Sequence, residues 1–269
     1  VTDQTVAEST ILKHTKDGYL TEAGIVELCS SLQAAINFFK DNSAKNISAF
    51  ATSAMRDVQN YSAVKDAVYN VCKINLELLS ENEEALCDFE SVKLQTESNA
   101  TGAAADLGGG SCQLLLYKNG NLMYHCSKKL GVKRMFNSFG ELTAAKESEV
   151  REFVNKSFND APFFTAETIF MMGGTSKKIK KLIKTILGSD EITPKTLALC
   201  LKLYREKNPE YIKLSATEIN KIPYGIIIME ELCRLCGSKK AAILGGGVRE
   251  GYVLRHIKTG KDEPAQKNK

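Results

Sequence analysis

Nothing in the 269 residues is long and apolar enough to cross a bilayer, because apolar runs such as 224–229 fall far short of the roughly 20 positions a spanning helix needs. Residues 1–12 lack the basic-then-apolar layout of a secretory leader. Together these absences give the expectation of a cytoplasmic protein. There is no low-complexity tract and no short-period repeat. A second C-x-x-C pair is missing as well: Cys233 and Cys236 stand alone inside an apolar stretch, so a tetrahedral zinc site is disfavoured and a buried core position is expected. The eight cysteines (29, 72, 87, 112, 126, 200, 233 and 236) are scattered through apolar segments, the pattern of reduced core thiols rather than of a disulfide framework. A strong excess of one charge is also absent. The net charge of +4 is modest, and Lys258, Lys261, Lys267 and Lys269 contribute to it from what reads as a solvated tail. Neither nucleic acid nor a membrane is therefore implied as a partner.

What is present is a globular composition, 43% hydrophobic and 25% charged, on a chain long enough for two ordinary domains. In residues 21–40 apolar side chains recur at Ile25, Leu28, Cys29, Leu32, Ile36 and Phe39, which predicts a helix with Thr21 as its N-cap. Residues 46–51 then read as a strand, 61–72 as a helix, 73–79 as a strand and 81–94 as a helix. Small polar residues at 99–102 suit a hinge. Beyond it, 103–107, 111–118 and 121–125 read as successive strands, with Asn119 and Gly120 turning between the last two. A strand at 168–172 lies between helices at 147–158 and 176–187. Pro194 fits the first turn of another helix, 241–244 a last strand, and 248–258 a last helix. The expectation is an α/β fold with a first domain over 1–102 and a larger second domain over 103–269, whose last helix is free to pack back on the first.

Three glycine-rich turns stand at strand ends. Asp106-Leu-Gly-Gly-Gly-Ser111 runs from strand to strand, so its glycines can turn backbone N–H groups toward a phosphate. A Walker loop would need Lys-Ser/Thr entering a helix, and a dinucleotide loop would run from strand into helix. Asp106, just before the turn, is placed to hold a hydrated Mg²⁺ beside phosphates, whereas the bland alternative is a plain glycine hairpin. Gly173-Gly174-Thr175 and Gly245-Gly246-Gly247 each lead from a strand into a helix, aiming amide donors and a helix dipole at an anion. Singly, each is an ordinary tight turn; together they imply a site lined with amides.

The segments ATSAMRDVQN (51–60), SENEEA (80–85), DLGGGSCQL (106–114), MGGTSKKI (172–179) and GGGVREG (245–251) resemble, in order and spacing, the motifs of the exopolyphosphatase/guanosine pentaphosphate phosphohydrolase (Ppx/GppA) family. The likeness runs from about residue 18 to residue 252. It implies two actin-like, ribonuclease-H-type domains of mixed sheets flanked by helices, with an interdomain cleft in which Mg²⁺-bound polyphosphate or guanosine pentaphosphate loses its terminal phosphate. Polyphosphate or a guanosine polyphosphate is then the partner, and a homodimer is allowed for. The family's catalytic glutamate falls on Glu84, a carboxylate suited to orienting water in line with the leaving phosphate. For Glu81, Glu83 and Glu84 the alternative is an acidic first helical turn favoured by the helix dipole. Ser53 and Arg56 match the family's substrate-contacting pair; beside them, Asp106 is expected to hold Mg²⁺, and Gly108, Gly109, Gly110, Ser111, Gly173, Gly174 and Thr175 to bind phosphate.

The chain also departs from the family pattern. Gln113 stands where a glutamate is common; it can hydrogen-bond a water but cannot accept a proton at neutral pH. The family's first phosphate loop, an Asp-x-Gly-Ser-x-Ser hairpin, would precede Val1, so the expectation is a first domain lacking its N-terminal strands. These departures leave a non-catalytic sensor of guanosine polyphosphates or polyphosphate as the alternative to a hydrolase.

Overall fold

The structure, a computed structural model, describes residues 11–259; the tail lysines 261, 267 and 269 lie outside them. The chain divides into two compact units, Val1–Glu81 and Asn82–Lys269. In the first, the short strands β1 (Thr15–Lys16) and β2 (Tyr19–Leu20) pair antiparallel and lead into helix α1 (Glu22–Asp41). Thr21 caps this helix as its sequence predicts, its side chain accepting from the Gly24 amide. Strand β3 (Ala49–Ala51) is followed by the single turn α2 (Ser53–Arg56), helix α3 (Tyr61–Cys72) and strand β4 (Leu76–Leu78), which runs parallel to β3. Cys29 and Ile36 of α1 meet Val68 and Cys72 of α3 and Leu76 of β4 in the unit's core. Both strands are shorter than the periodicity predicts, pairing over only three positions.

Helix α4 (Glu81–Lys93) opens the second unit. Strands β5 (Gly102–Leu107), β6 (Cys112–Lys118) and β7 (Asn121–Lys128) form a meander, followed by α5 (Val132–Phe139), α6 (Ala144–Ser157) and β8 (Thr168–Met172). Helices α7 (Gly174–Leu187), α8 (Pro194–Arg205), α9 (Pro209–Ser215) and α10 (Ile222–Leu235), strand β9 (Lys240–Ile243) and helix α11 (Val248–Thr259) complete it. The five strands lie in the order β7-β6-β5-β8-β9, with β8 and β9 parallel to β5, and β6 and β7 antiparallel to their neighbours. Asn119 and Gly120 both have positive φ, 51° and 71°, as a tight two-residue hairpin turn requires.

Alternation along the strands assigns the faces. Ala103, Ala105 and Leu107, with Leu114 and Leu116, face the larger core, which includes the buried apolar side chains of α10. Ala104, Leu115, Tyr117 and Met172 face Ala85, Phe89 and Val92 of α4. That packing places α4 in the second compact unit. Cys233 and Cys236 are fully buried core residues, as expected, and all eight cysteines are free thiols. Among the described residues no helix is long and apolar enough to cross a membrane.

Candidate active site

The same alternation determines where the chemistry gathers. Asp106, the penultimate residue of β5, lies on the face it shares with Ala104, and its cross-strand partner on β6 is Gln113. Both therefore face the side of the sheet that α4 covers. On α4 the apolar stripe Ala85, Phe89 and Val92 packs on the sheet, and beside it runs a polar stripe at Glu84, Asp88 and Ser91, continued by Gln95 in the turn after the helix. Ser91 Oγ donates to the Gly247 carbonyl at 2.7 Å, and Gln95 Oε1 accepts from the Gly245 amide at 2.8 Å. The polar stripe of α4 thus runs along the turn that opens α11.

The turn after β5 is held from behind. The Gly108 amide donates to the Ser111 carbonyl at 3.0 Å and closes the loop. The Gly108 and Gly109 carbonyls accept from the amides of Val132, Lys133 and Arg134 at the start of α5, and Arg134 Nε donates to the Gly110 carbonyl at 3.0 Å. Behind it Gly131 leaves no room for a side chain: a Cβ there would lie 2.2 Å from Gly109 C and Gly110 N. Gly173 has φ 90°, open to glycine, and a Cβ on it would come within 2.5 Å of Asp106 Oδ1. This is how the turn into α7 approaches the carboxylate so closely. Lys177, in the first turns of α7, donates from Nζ to the Gly245 carbonyl at 3.2 Å and joins the second glycine turn to the third.

Glu84 is buried, 6% exposed, whereas Glu83 is half-buried and Glu81 exposed. Burial therefore singles out Glu84 from the acidic turn. Asp88 is 0% exposed, and neither of its carboxylate oxygens has a hydrogen-bond partner among the described residues. Glu250 caps α11, its Oε2 accepting from the Gly247 amide at 3.0 Å. Burial, then the charge of Glu84, pushes the Asp106 carboxyl up to about 6, with Lys177 and Arg249 pulling the other way and Glu250 adding to the rise. Asp88 is held well above the ordinary carboxylate range by burial, then by Asp106, Glu84 and Glu250. The side chain of Gln113, 2% exposed, is engaged as a donor, from Nε2 to Ser111 Oγ at 2.8 Å and to Ser127 Oγ at 3.4 Å.

Of the residues singled out from sequence, Glu84, Asp106, Gly108, Gly109, Gly110, Ser111, Gln113, Gly173, Gly174 and Thr175 all belong to the second unit. Ser53 and Arg56 open and close α2 in the first, where Arg56 Nη1 donates to the Leu79 carbonyl at 3.0 Å. Asp88 went unnoticed in the sequence, although its spacing of one turn from Glu84 places the two on one helix face.

Among the described residues no group of three or more His, Cys, Asp or Glu forms a ready-made metal cage. Mg²⁺ does not require one, since it keeps several waters and is typically bound through one or two carboxylates plus substrate phosphates. Hard carboxylate oxygens of Asp106 and Asp88, crowded by like charge and partly unsatisfied, fit such an ion.

A buried acidic centre bordered by glycine turns thus stands at the end of a mixed sheet flanked by helices. The profile of the Ppx/GppA phosphatase family matches residues 9–259, and the chain belongs to that family. It is similar to the guanosine-5'-triphosphate,3'-diphosphate pyrophosphatases of Aeromonas hydrophila subsp. hydrophila, 22% identical over 228 residues, and Aeromonas salmonicida, 21% identical over 225. Each alignment covers 80% of this chain but 45% of the relative, so the chain spans about half the length of the curated relatives it matches. In fold it is similar to an exopolyphosphatase from Cytophaga hutchinsonii, with a TM-score of 0.78 at 15% identity over 91% of this chain and 85% of that one. The Aquifex aeolicus member of the Ppx/GppA family gives 0.76 at 18% identity, over 94% and 87%.

Proposed function

We propose that this chain carries the hydrolytic centre of a Mg²⁺-dependent phosphoanhydride hydrolase, removing terminal phosphate from inorganic polyphosphate, guanosine pentaphosphate or both. The observation that carries the reading is the convergence of Glu84, Asp106 and three glycine turns on one end of the second unit's sheet. Water oxygen bonds to the terminal phosphorus, the bridging P–O bond breaks, and the shortened chain leaves with the bridging oxygen. Glu84 orients that water and takes its proton. Amides of the turn at Gly108, Gly109, Gly110 and Ser111, and of Gly173, Gly174 and Thr175, hold the phosphate oxygens as charge spreads over them. Asp106 would hold Mg²⁺, which when bound neutralises phosphate charge and favours the leaving oxygen. Gln113, unable to take a proton, positions the Ser111 hydroxyl through its Nε2 hydrogen bond. Ser53 and Arg56 contribute further substrate contacts, an arginine fork being suited to a phosphate.

The test is phosphate release from long-chain polyphosphate and from guanosine pentaphosphate, each with and without Mg²⁺. Release from at least one, dependent on Mg²⁺, is the expected result. Folded protein that binds either substrate tightly and releases nothing would replace the hydrolase with a sensor, the reading that the neutral Gln113 beside Asp106 favours.

A further inference from the structure

Asp88 is an expensive residue at its position. It is wholly enclosed, yet neither Oδ1 nor Oδ2 has a partner among the described residues, and an apolar side chain would extend the packing of Ala85, Phe89 and Val92 at no such cost. Protonation alone does not remove the problem, because a neutral acid still buries an unpaired O–H and an unpaired C=O. What satisfies Asp88 therefore comes from outside the described residues.

The surroundings limit what that is. The carboxylates of Asp106, Glu84 and Glu250 all bear on Asp88, and Asp106 borders the same space as Asp88 beside Gly247, so the ligand is a cation. It is small: a Cβ placed on Gly247 would stand 3.6 Å from Asp106 Oδ2 and 3.9 Å from Asp88 Oδ1, so the two carboxylates border one confined space that the absent side chain leaves open. Its donors are hard oxygens, which suit Mg²⁺ or Mn²⁺ rather than a thiophilic metal. The strand wall offers only one carboxylate, since Gln113, opposite Asp106, presents an amide already committed to Ser111 and Ser127. We propose that Asp88 of α4 is the second protein carboxylate for the divalent cation that Asp106 holds, so that the cation is gripped between helix and strand. This rests on the functional reading above for the cation's task, but not for its binding.

The experiment titrates Mn²⁺ into the 269-residue chain without substrate, followed by calorimetry and by the Mn²⁺ electron paramagnetic resonance signal, with Mg²⁺ as competitor. One Mn²⁺ should bind to the wild type, Asp88→Asn should weaken it at least tenfold, and Asp106→Asn should do the same. Thermal unfolding gives a second readout: without metal, Asp88→Asn should melt at or above the wild-type temperature, while Mn²⁺ should raise the wild-type Tm more than the variant's. Asp88→Ser repeats both measurements with a smaller side chain. Wild type that binds no Mn²⁺, unchanged affinity in both Asp88 variants, or failure of both variants to fold would each overturn the proposal. Phosphate release on the same samples separates the two readings. Hydrolysis by the wild type with Mn²⁺ affinity indifferent to Asp88 removes the ligand assignment alone. Asp88-dependent Mn²⁺ binding without hydrolysis removes the hydrolase and leaves the cation site.

Discussion

The second unit contains two clusters of poorly exposed charge built on opposite rules. In the first, Arg151 of α6 donates from Nη2 to Glu147 at 3.0 Å and to Glu230 at 2.7 Å, and from Nη1 to Glu231 at 2.8 Å. Glu231 also accepts from Asn155 at 2.8 Å and Arg234 at 2.9 Å. Opposite charges meet there with their hydrogen bonds made. In the second, Glu84, Asp88 and Asp106 raise one another's cost, and the cations near Asp106 only partly offset it. The paired cluster ties α6 to α10 and stabilises the fold. The acidic cluster costs stability wherever no ligand is bound, which is the usual mark of a site arranged for something other than folding.

Substitutions can break this contrast in order of size. The largest effect is expected at Glu84: Glu84→Gln should lower phosphate release by about 10²-fold or more, the scale on which a general base acts, with substrate affinity nearly unchanged. Steady-state kinetics check it, and a Glu83→Gln variant that is dead beside a healthy Glu84→Gln would move the assignment by one residue. Arg151→Met should do the reverse, costing about 3 kcal/mol of stability, the low end for removing one partner of a poorly exposed ion pair. Measured by denaturant titration, this loss should come without any change in turnover per folded molecule. Altered kcat would join the two clusters functionally and end the contrast.

Arg56 lies in the other unit and sharpens the comparison differently. Its guanidinium donates to the Leu79 carbonyl, so Arg56→Ala should cost about 1 kcal/mol of stability, the typical net worth of one hydrogen bond. As a substrate contact it should also raise KM severalfold. A fall in Tm with unchanged KM would make Arg56 a brace of the first unit and nothing more.

Much of this organisation is legible in the sequence because it is local. The stripe after Thr21, the Asn119-Gly120 turn and the glycine turns at strand ends all follow from residue type and period. Glu84, Asp106 and Gln113 stand out in the sequence through short motifs. Asp88 escaped because its meaning depends on partners from β5 and α11, which only the folded sheet brings beside α4. The one available signal is the polar stripe at 84, 88 and 91, unusual beside an apolar stripe on a helix this buried. The packing partner of α4 is illegible for a related reason: its apolar face fits either neighbouring sheet by periodicity, and its choice of Tyr117 and Leu115 is tertiary. Helices α5 and α9, eight and seven residues long, are too short for a helical period to declare itself.

The smallest expected effect concerns acid. Burial by itself would raise the Glu231 carboxyl, but hydrogen bonds from Arg151, Arg234 and Asn155 outweigh it, and the net shift is downward. A carboxylate with a depressed folded value binds its proton more readily in the unfolded chain. Its contribution to stability is thus present above the unfolded value, about 4.3 for glutamate, and is lost as pH falls through the lower folded value. Glu231→Gln removes that dependence while keeping an acceptor for the same donors. The variant should be less stable than the wild type at neutral pH by up to about 1.5 kcal/mol, the upper range for a hydrogen bond, and the gap should narrow as pH falls from 5 to 3. Tm against pH for the two proteins checks this. Parallel curves would mean that Glu231 does not titrate with folding, and that Arg151 draws its hold on α10 from Glu230 instead, at 2.7 Å the shorter of its two contacts there.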